Sequence, residues 1–485
     1  MKKIILTVLG ISLFSLVNIQ ASDYIITDFG AKADGKTINT TAIQTAIDKA
    51  AINGGRVTIP TGIFVTGTIK LKSNIEFYLM PGAVLLGSPN ILDYPPYEVK
   101  KDDRDRHPYH LVILDSCENI AIIGSGEING NGPAFWKSER PSPYHFYTEK
   151  DKRPSPMVEI RESKNIRIEG ISITNSPGWT LHLFNSSELK VLGITINNSL
   201  FGPNSDGIDI TGSKNVIIAN CNIKCGDDGV VLKTTYDSNT CENVNVSGCI
   251  IETNCVAMKL GTESHHDFNN VIFANNIVKK CTRVFTLLAH DGGTMSNIRV
   301  YNTTASMNSG WILNRIIEIN ANKRTDASKC GHIKNVFIEG MNVVTDGRVL
   351  MGAANGGTVE NVSLKNIHLQ YVLLDDPYNM AEKTEGDCKY FRSLPWLRGA
   401  RAAIAAENIK NLTIEGITVE WPTYPLDTNW LLLKSPITWG NDDYLPANKP
   451  NIISGKQRPV YKTIMTKNVK GGFIQKTNSK SNDAK

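Results

Sequence analysis

The sequence predicts an all-β fold: a single-stranded, right-handed parallel β-helix with a short capping helix at its N-terminal end. Three observations carry this. A unit of two short alternating strands recurs from Asn165 onward. Gly is abundant, at 39 of 485 residues, Asn is conspicuous, and both are turn residues. The unit is too short to bury its apolar face alone, so units must stack into one continuous core.

The repeat is anchored at Asn165, Asn215, Asn243, Asn270, Asn297, Asn335, Asn361 and Asn411, with Glu188 in the same role. Apolar residues stand one and three positions after each anchor, as in Ile166 and Ile168, Val216 and Ile218, or Leu412 and Ile414. Eight after the anchors stand Ile173, Ile196, Ile223, Ile251, Val278, Ala305, Val343, Leu369 and Val419. The spacings between anchors are 23, 27, 28, 27, 27, 38, 26 and 50 residues, the two long ones carrying insertions. Coils of such a solenoid stack ~4.8 Å apart, and the anchor Asn fits a side-chain ladder at a turn.

The remaining elements follow in chain order. Residues 1–21 read as a secretory signal peptide: Lys2 and Lys3, an apolar run from Ile4 to Val17, then a small-residue site ending at Ala21. The run is shorter than the about 20 residues a membrane span needs, and no later segment is long and apolar enough to be one. An exported, periplasmic or extracellular protein is expected. Thr41 to Ala51 carries Ile43, Ala46, Ile47 and Ala50 at helical spacing, suited to closing the solenoid's open end. Residues 22–470 then form one solenoid domain, and residues 471–485, rich in Lys, Ser and Asn, a frayed tail. Insertions lie between Tyr371 and Ala402 and between Thr423 and Lys462. Loops of that length are usually functional, and on a β-helix they can wall off one end of a groove.

Nine cysteines leave at least one unpaired, and no Cys/His spacing suggests zinc. Cys221 and Cys249 fall six after their anchors, where Ile171 and Ile194 lie in other coils, so they read as core. The formal charge is +5, or +3 without Lys2 and Lys3, and no basic block stands out, which argues against nucleic acid as a partner.

Outward positions of the coils form a long open surface on which an extended polymer can lie. Two acidic clusters map there: Asn204-Ser205-Asp206-Gly207-Ile208-Asp209 and Gly226-Asp227-Asp228-Gly229. Asp206 and Asp227 are 21 residues apart, a little under one coil, so they should face each other across adjacent coils. Counting from the anchors puts Arg283 in the column of Asp228, two coils on, and Lys233 in the coil neighbouring that of Asp206. Clustered carboxylates push pKa values apart, leaving one protonated as an acid while others stay ionised. Glycoside hydrolysis needs that division.

At these residues the sequence resembles the polygalacturonase-type glycoside hydrolases of family 28, across nearly the whole chain after the leader. The opening Asp28-Phe29-Gly30-Ala31-Lys32-Ala33-Asp34-Gly35 is similar, as are Gly124-Ser125-Gly126-Glu127-Ile128-Asn129-Gly130 and Asn175-Ser176-Pro177-Gly178-Trp179. The decisive pieces are Asn204-Ser205-Asp206, which resembles the family's Asn-Thr-Asp, and the Asp227-Asp228 pair at the matching spacing. The resemblance implies a pectin-lyase-like solenoid and inverting hydrolysis of α-galacturonosyl-type bonds in pectic poly- or oligosaccharides by a monomer. It implies Asp227 as general acid, Asp206 and Asp228 as holders and deprotonators of the attacking water, and no metal or cofactor. Two departures stand out. Val256 occupies the position of the family's Gly-His-Gly histidine, and Arg283 stands in the Arg-Ile-Lys region with no Lys after it. They point toward a rhamnogalacturonan-related branch, with exo action if the insertions close the groove. Asn204, Asp209, His182, Lys233, Lys259, Glu263, Arg283 and His290 are the candidate substrate contacts, with Arg315 as a further polar substitute. Trp136, Trp179 and Trp311 are candidate stacking residues. A polysaccharide lyase on the same solenoid and a non-catalytic glycan-binding β-helix are the competing readings.

Overall fold

The computed structural model describes residues 22–97, 107–141, 146–307, 314–345, 347–371, 393–421 and 461–475. The leader expected at residues 1–21, Trp311 and most of the two insertions lie outside them. No described helix is long and apolar enough to cross a membrane.

The strands stack in parallel into two sheets, of 23 and 12 strands. The larger sheet holds the anchored repeat. Lys164–Glu169, Ser187–Leu192, Lys214–Ala219, Cys241–Ser247 and Phe268–Ala274 stack in sequence, and so do the short second strands Ser172–Thr174, Thr195–Asn197, Asn222–Cys225 and Ile250–Thr253. From Thr294–Ser306 onward the two merge into single long strands. Residues three after the anchors form one buried column: Ile168, Val191, Ile218, Val246, Phe273, Val300, Ile338, Leu364 and Ile414. Burying each such side chain stabilises the fold by about 1.5–3 kcal/mol. Cys221 and Cys249 are buried and unpaired, as a core role requires.

Two left-handed turns shape each coil. Every anchor has φ of 55–57°, Glu188 included. Asn tolerates this region better than other residues with a side chain. The anchors also bond to each other: Asn215 Nδ2 donates to Glu188 Oε1 at 2.7 Å, Asn243 to Asn215 at 2.9 Å and Asn270 to Asn243 at 3.1 Å. The second turn falls five residues after the anchor, at Gly170, Gly193, Asn220, Gly248, Asn275, Asn302, Gly340, Asn366 and Gly416, all at positive φ. Only Gly or Asn stands there, and this is the bend that separates the two strands of a unit.

A helix spans Thr40–Asn53 and buries Ile43, Ala46, Ile47 and Ala50 in the main core. At the other end Lys470–Ile474 pairs with Ile409–Glu420, Leu412 lying opposite Gly472. The expected tail therefore starts too early. Gly471 and Gly472 broke the apolar alternation in sequence, yet their backbone completes a coil.

The 12-stranded sheet carries the outward residues of interest. It includes Val158–Arg161, Leu181–Phe184, Ile208–Thr211, Val230–Thr234, Val256–Ser264, Arg283–Ala289, Arg315–Ala321, Arg348–Ala353 and Ala402–Glu407. One outward column reads Glu159, His182, Asp209, Val231, Lys259, Thr286, Glu318, Leu350 and Ala405. It is polar in mid-solenoid and apolar at its end. There a short helix, Pro395–Gly399, covers it, with Leu394 and Leu397 packed on Leu350, Ala402 and Ala405. Arg348 donates to the carbonyls of Ala400 at 2.6 Å and Arg398 at 3.1 Å, and Leu397 N–H donates to Glu407 Oε2 at 3.2 Å. Cations suit the C-terminal carbonyls of a helix and anions its N-terminal amides.

Candidate active site

Asp206, Asp227 and Asp228 stand immediately before two neighbouring strands of the 12-stranded sheet. Their turns are joined directly: Gly207 N–H donates to Asp228 O at 2.8 Å and Ile208 N–H to Gly229 O at 3.0 Å. The flanking glycines are required by this close stacking. A Cβ on Gly207 would lie 2.4 Å from Gly229 O, and one on Gly229 2.6 Å from Ala257 O. The Asp227 and Asp228 carbonyls accept from the Cys225 thiol at 3.3 and 3.4 Å, and buried Thr253 also donates to Asp227 O.

The register Ile208↔Val230 places Asp206 opposite Asp228, not Asp227, as the 21-residue count suggested. It also places Lys233 opposite Thr211, in the coil next to that of Asp206 as expected. The reason for the changed Asp pairing is a longer turn. Asn197 and Ile208 are eleven positions apart, whereas their partners Lys224 and Val230 are six apart. Lys233 still reaches back, its Nζ lying 3.0 Å from Asp209 Oδ1, 3.9 Å from Asp206 Oδ2 and 3.5 Å above the Trp179 ring. Lys259 Nζ bonds Asp228 Oδ2 at 2.6 Å, a charge-assisted contact. Asp227 forms no ion pair among the described residues.

The three carboxylates are almost closed off, at 3% exposure for Asp206 and Asp228 and 7% for Asp227. Burial, then the Asp228 charge, raises Asp227 to about 7. Burial, then the Asp227 charge, holds Asp206 well above the usual carboxylate range, against the pull of Lys233. Asp206 Oδ1 and Asp228 Oδ1 are buried without a hydrogen-bond partner. Among the described residues, Asp227, Asp228 and Cys255 offer possible ligand atoms within 4.8 Å of one another.

The other candidates divide. Asp209 is fully buried and serves Lys233. Asn204, at φ 45°, accepts from Arg153 at 3.3 Å. Buried Arg153, which the sequence reading missed, also ties down the Pro177 and Pro203 carbonyls. His182 is corrected as a sugar contact. It is fully buried, with Nδ1 2.7 Å from Glu159 Oε2 and Nε2 2.9 Å from Thr211 Oγ1, so its ring is spent on neighbouring coils. His290 is likewise buried, 2.8 Å from Asn320 Oδ1, and burial lowers it to about 4. Arg283 lies in register between Val256 and Arg315, and its Nε is 2.8 Å from Glu318 Oε2. Glu263 accepts from Arg324 at 2.8 Å. Burial would raise its carboxyl, but Lys233, Arg324 and Lys259 outweigh that and bring it to about 2. Trp136 and Trp179 are buried and do not offer free stacking faces. Glu318 and Arg324 were missed because they lie within the 38-residue spacing from Asn297 to Asn335, where counting from anchors loses its frame.

Solved structures share this parallel β-helix architecture. An exopolygalacturonase from Thermotoga maritima aligns at TM-score 0.66 and 23% identity, over 82% of this chain and 92% of that one. A family 28 exopolygalacturonase from Yersinia enterocolitica aligns at TM-score 0.67 and 17% identity, over 93% and 78%. The chain itself belongs to the glycosyl hydrolases family 28, whose family model matches residues 36–382. Among curated relatives, a probable polygalacturonase of Vitis vinifera is 30% identical over 46% of this chain and 47% of its own length. The exo-poly-alpha-D-galacturonosidase of Dickeya chrysanthemi is 31% identical over 42% and 41%. The chain thus spans about half the length of these curated relatives.

Proposed function

We propose that this protein hydrolyses α-galacturonosyl linkages in pectic poly- or oligosaccharides with inversion, working from chain ends. The observation that carries the roles is the uneven placement of cations. Lys233 faces Asp206 and Lys259 binds Asp228, while Asp227 has neither. We assign the general acid to Asp227, the one carboxyl of the three with no cation in contact with it among the described residues. Asp227 donates its proton to the glycosidic oxygen as the bond from that oxygen to the anomeric carbon breaks. The free acceptors Asp206 Oδ1 and Asp228 Oδ1 hold a water on the opposite face of the sugar, and Asp228, its charge paired with Lys259, takes the proton as the new C–O bond forms. Lys233, Lys259 and Arg283 supply positive charge for a uronate carboxylate.

Chain-end action rests on the covered end of the outward column. Leu350 stands four strands beyond Val230–Thr234, about 19 Å at 4.8 Å per coil, and the Pro395–Gly399 helix lies over it. A polymer following that column meets a wall. Nothing in the site favours rhamnogalacturonan over galacturonan. Export by the residue 1–21 leader remains part of the proposal.

The test is product analysis on polygalacturonate and defined oligogalacturonides. Release of monomer or short fixed-length product, with the inverted anomer seen first by proton NMR, is expected. An ultraviolet-absorbing unsaturated product would replace hydrolysis by a lyase reaction. Retention of configuration would refute the roles given to Asp206 and Asp228.

A further inference from the structure

The strand that carries Lys233 runs straight into a turn whose tip is Tyr236. Its side chain is 69% exposed, yet it is not loose. The ring stacks on His265 of the next coil, with centroids 3.7 Å apart and planes at 32°. The turn is pinned from both sides. Ser238 Oγ accepts from Thr235 N–H at 2.8 Å, and Thr235 Oγ1 donates to Asp237 Oδ1 at 2.6 Å. From two coils back, Asn185 Nδ2 donates to Asp237 O at 3.2 Å and Asn239 N–H donates to Asn185 Oδ1 at 2.8 Å. On the other side, His265 N–H donates to Thr234 O at 3.0 Å.

His265 is itself backed by a charged network. Its Nε2 lies 3.9 Å from Asp291 Oδ2, and Arg324 bonds both Asp291 oxygens, at 2.8 and 2.6 Å. The same guanidinium bonds Glu263, whose carboxylate feels Lys233 and Lys259. Contacts from Tyr236 through His265, Asp291 and Arg324 thus end at Glu263, which lies within the electrostatic reach of the lysines that serve the carboxylates. Tyr236 is three residues from Lys233, about 10 Å along the chain. A pre-positioned aromatic plate binds at low ordering cost, because the ring has few torsions to fix.

We propose that Tyr236, stacked on His265, is a platform for the apolar face of a pyranosyl residue of the substrate, forming a binding subsite beyond the Lys233 end of the strand that the catalytic carboxylates precede. This deepens the hydrolase reading and rests on it for the nature of the chain bound. The buried Trp136 and Trp179 cannot serve in this way, whereas Tyr236 presents a free face.

The test is calorimetric binding of trigalacturonate to the Asp227→Asn protein, alone and combined with Tyr236→Ala, Tyr236→Phe or His265→Ala. Tyr236→Ala is expected to weaken binding roughly three- to tenfold, the range of one aromatic contact. Tyr236→Phe should bind within about twofold of the parent, because only the ring is used, and His265→Ala should fall between. Unchanged thermal midpoints show that the losses do not come from unfolding. Equal affinity for the Tyr236→Ala and parent proteins overturns the platform and leaves the catalytic roles standing. No binding of any galacturonide by the parent, with no hydrolysis by the wild type, overturns both readings.

Discussion

Replacing Asp227 by Asn should abolish hydrolysis and, above neutral pH, make the protein more stable. The carboxyl is raised from 3.8 to about 7 by burial and by the Asp228 charge. In the unfolded chain it ionises near 3.8, so between these values the folded state binds more protons. Stability from this group is fully present below about 4 and is lost as pH rises through 7. Three units correspond to about 4 kcal/mol, and because the group titrates together with its neighbours, about 2–4 kcal/mol is the expected scale. Asn mimics the protonated acid without the ionisation cost. At an unfolding entropy of about 2.1 cal/mol/K per residue, this is a rise of roughly 2–4 °C at pH 8 for a cooperatively melting chain of this size. At pH 4 the gap should close. The assay is thermal unfolding of wild type and variant at pH 4, 6 and 8, beside reducing-sugar release. A variant with normal activity, or one no more stable than wild type at pH 8, would refute the reasoning. So would a stability gain of the same size at every pH.

Three further predictions use other parts of the molecule. Lys259→Met removes a charge that pulls Asp227 down, so the basic limb of the kcat/KM profile should move above about 7 while the maximal rate falls; an unmoved limb would show that Lys259 does not bear on the acid. His290 is held neutral by burial, at about 4 against 6.5 in the unfolded chain, so its contribution is full above 6.5 and is lost as pH falls through 4; His290→Gln should flatten the acid side of a urea-stability profile by up to about 3 kcal/mol. Asn243→Ala removes two rungs and forces Ala into a left-handed turn at φ 56°, costing about 1–3 kcal/mol in urea unfolding, while Asn243→Gly should cost less.

The solenoid was legible because each coil repeats the same small problem. A left-handed turn needs Asn or Gly, the residues after it must alternate, and stacking does the rest. Glu188 could be placed by counting even though it is not Asn, and it accepts the rung from Asn215. The second turn leaves a mark of the same kind that counting strands did not use: only Gly or Asn stands five after every anchor. The carboxylates were legible as paired Asp-Gly clusters at coil spacing. What counting could not reach was how the turns differ in length. Five extra residues before Ile208 shifted Asp206 onto Asp228, and the insertion before Asn335 hid Glu318 and Arg324. The role of His182 was out of reach for another reason. Its burial depends on Glu159 and Thr211, which adjoin it only across coils. Tyr236 carried no local signal at all, since its stacking partner comes from the next coil.

The lengthened turn between Asn197 and Ile208 has a consequence for how such a protein can be altered. Strand pairing resumes at Ile208 and the core column continues through Ile218 and Val246 as if no residues had been added. Turn length and core order are thus separable: the turns can grow or shrink while the coils below keep their places. Rebuilding the stretch from Ser199 to Asn204 offers a way to move Asp206 relative to Asp228, and so to retune the chemistry, on a frame that the Asn ladder keeps aligned.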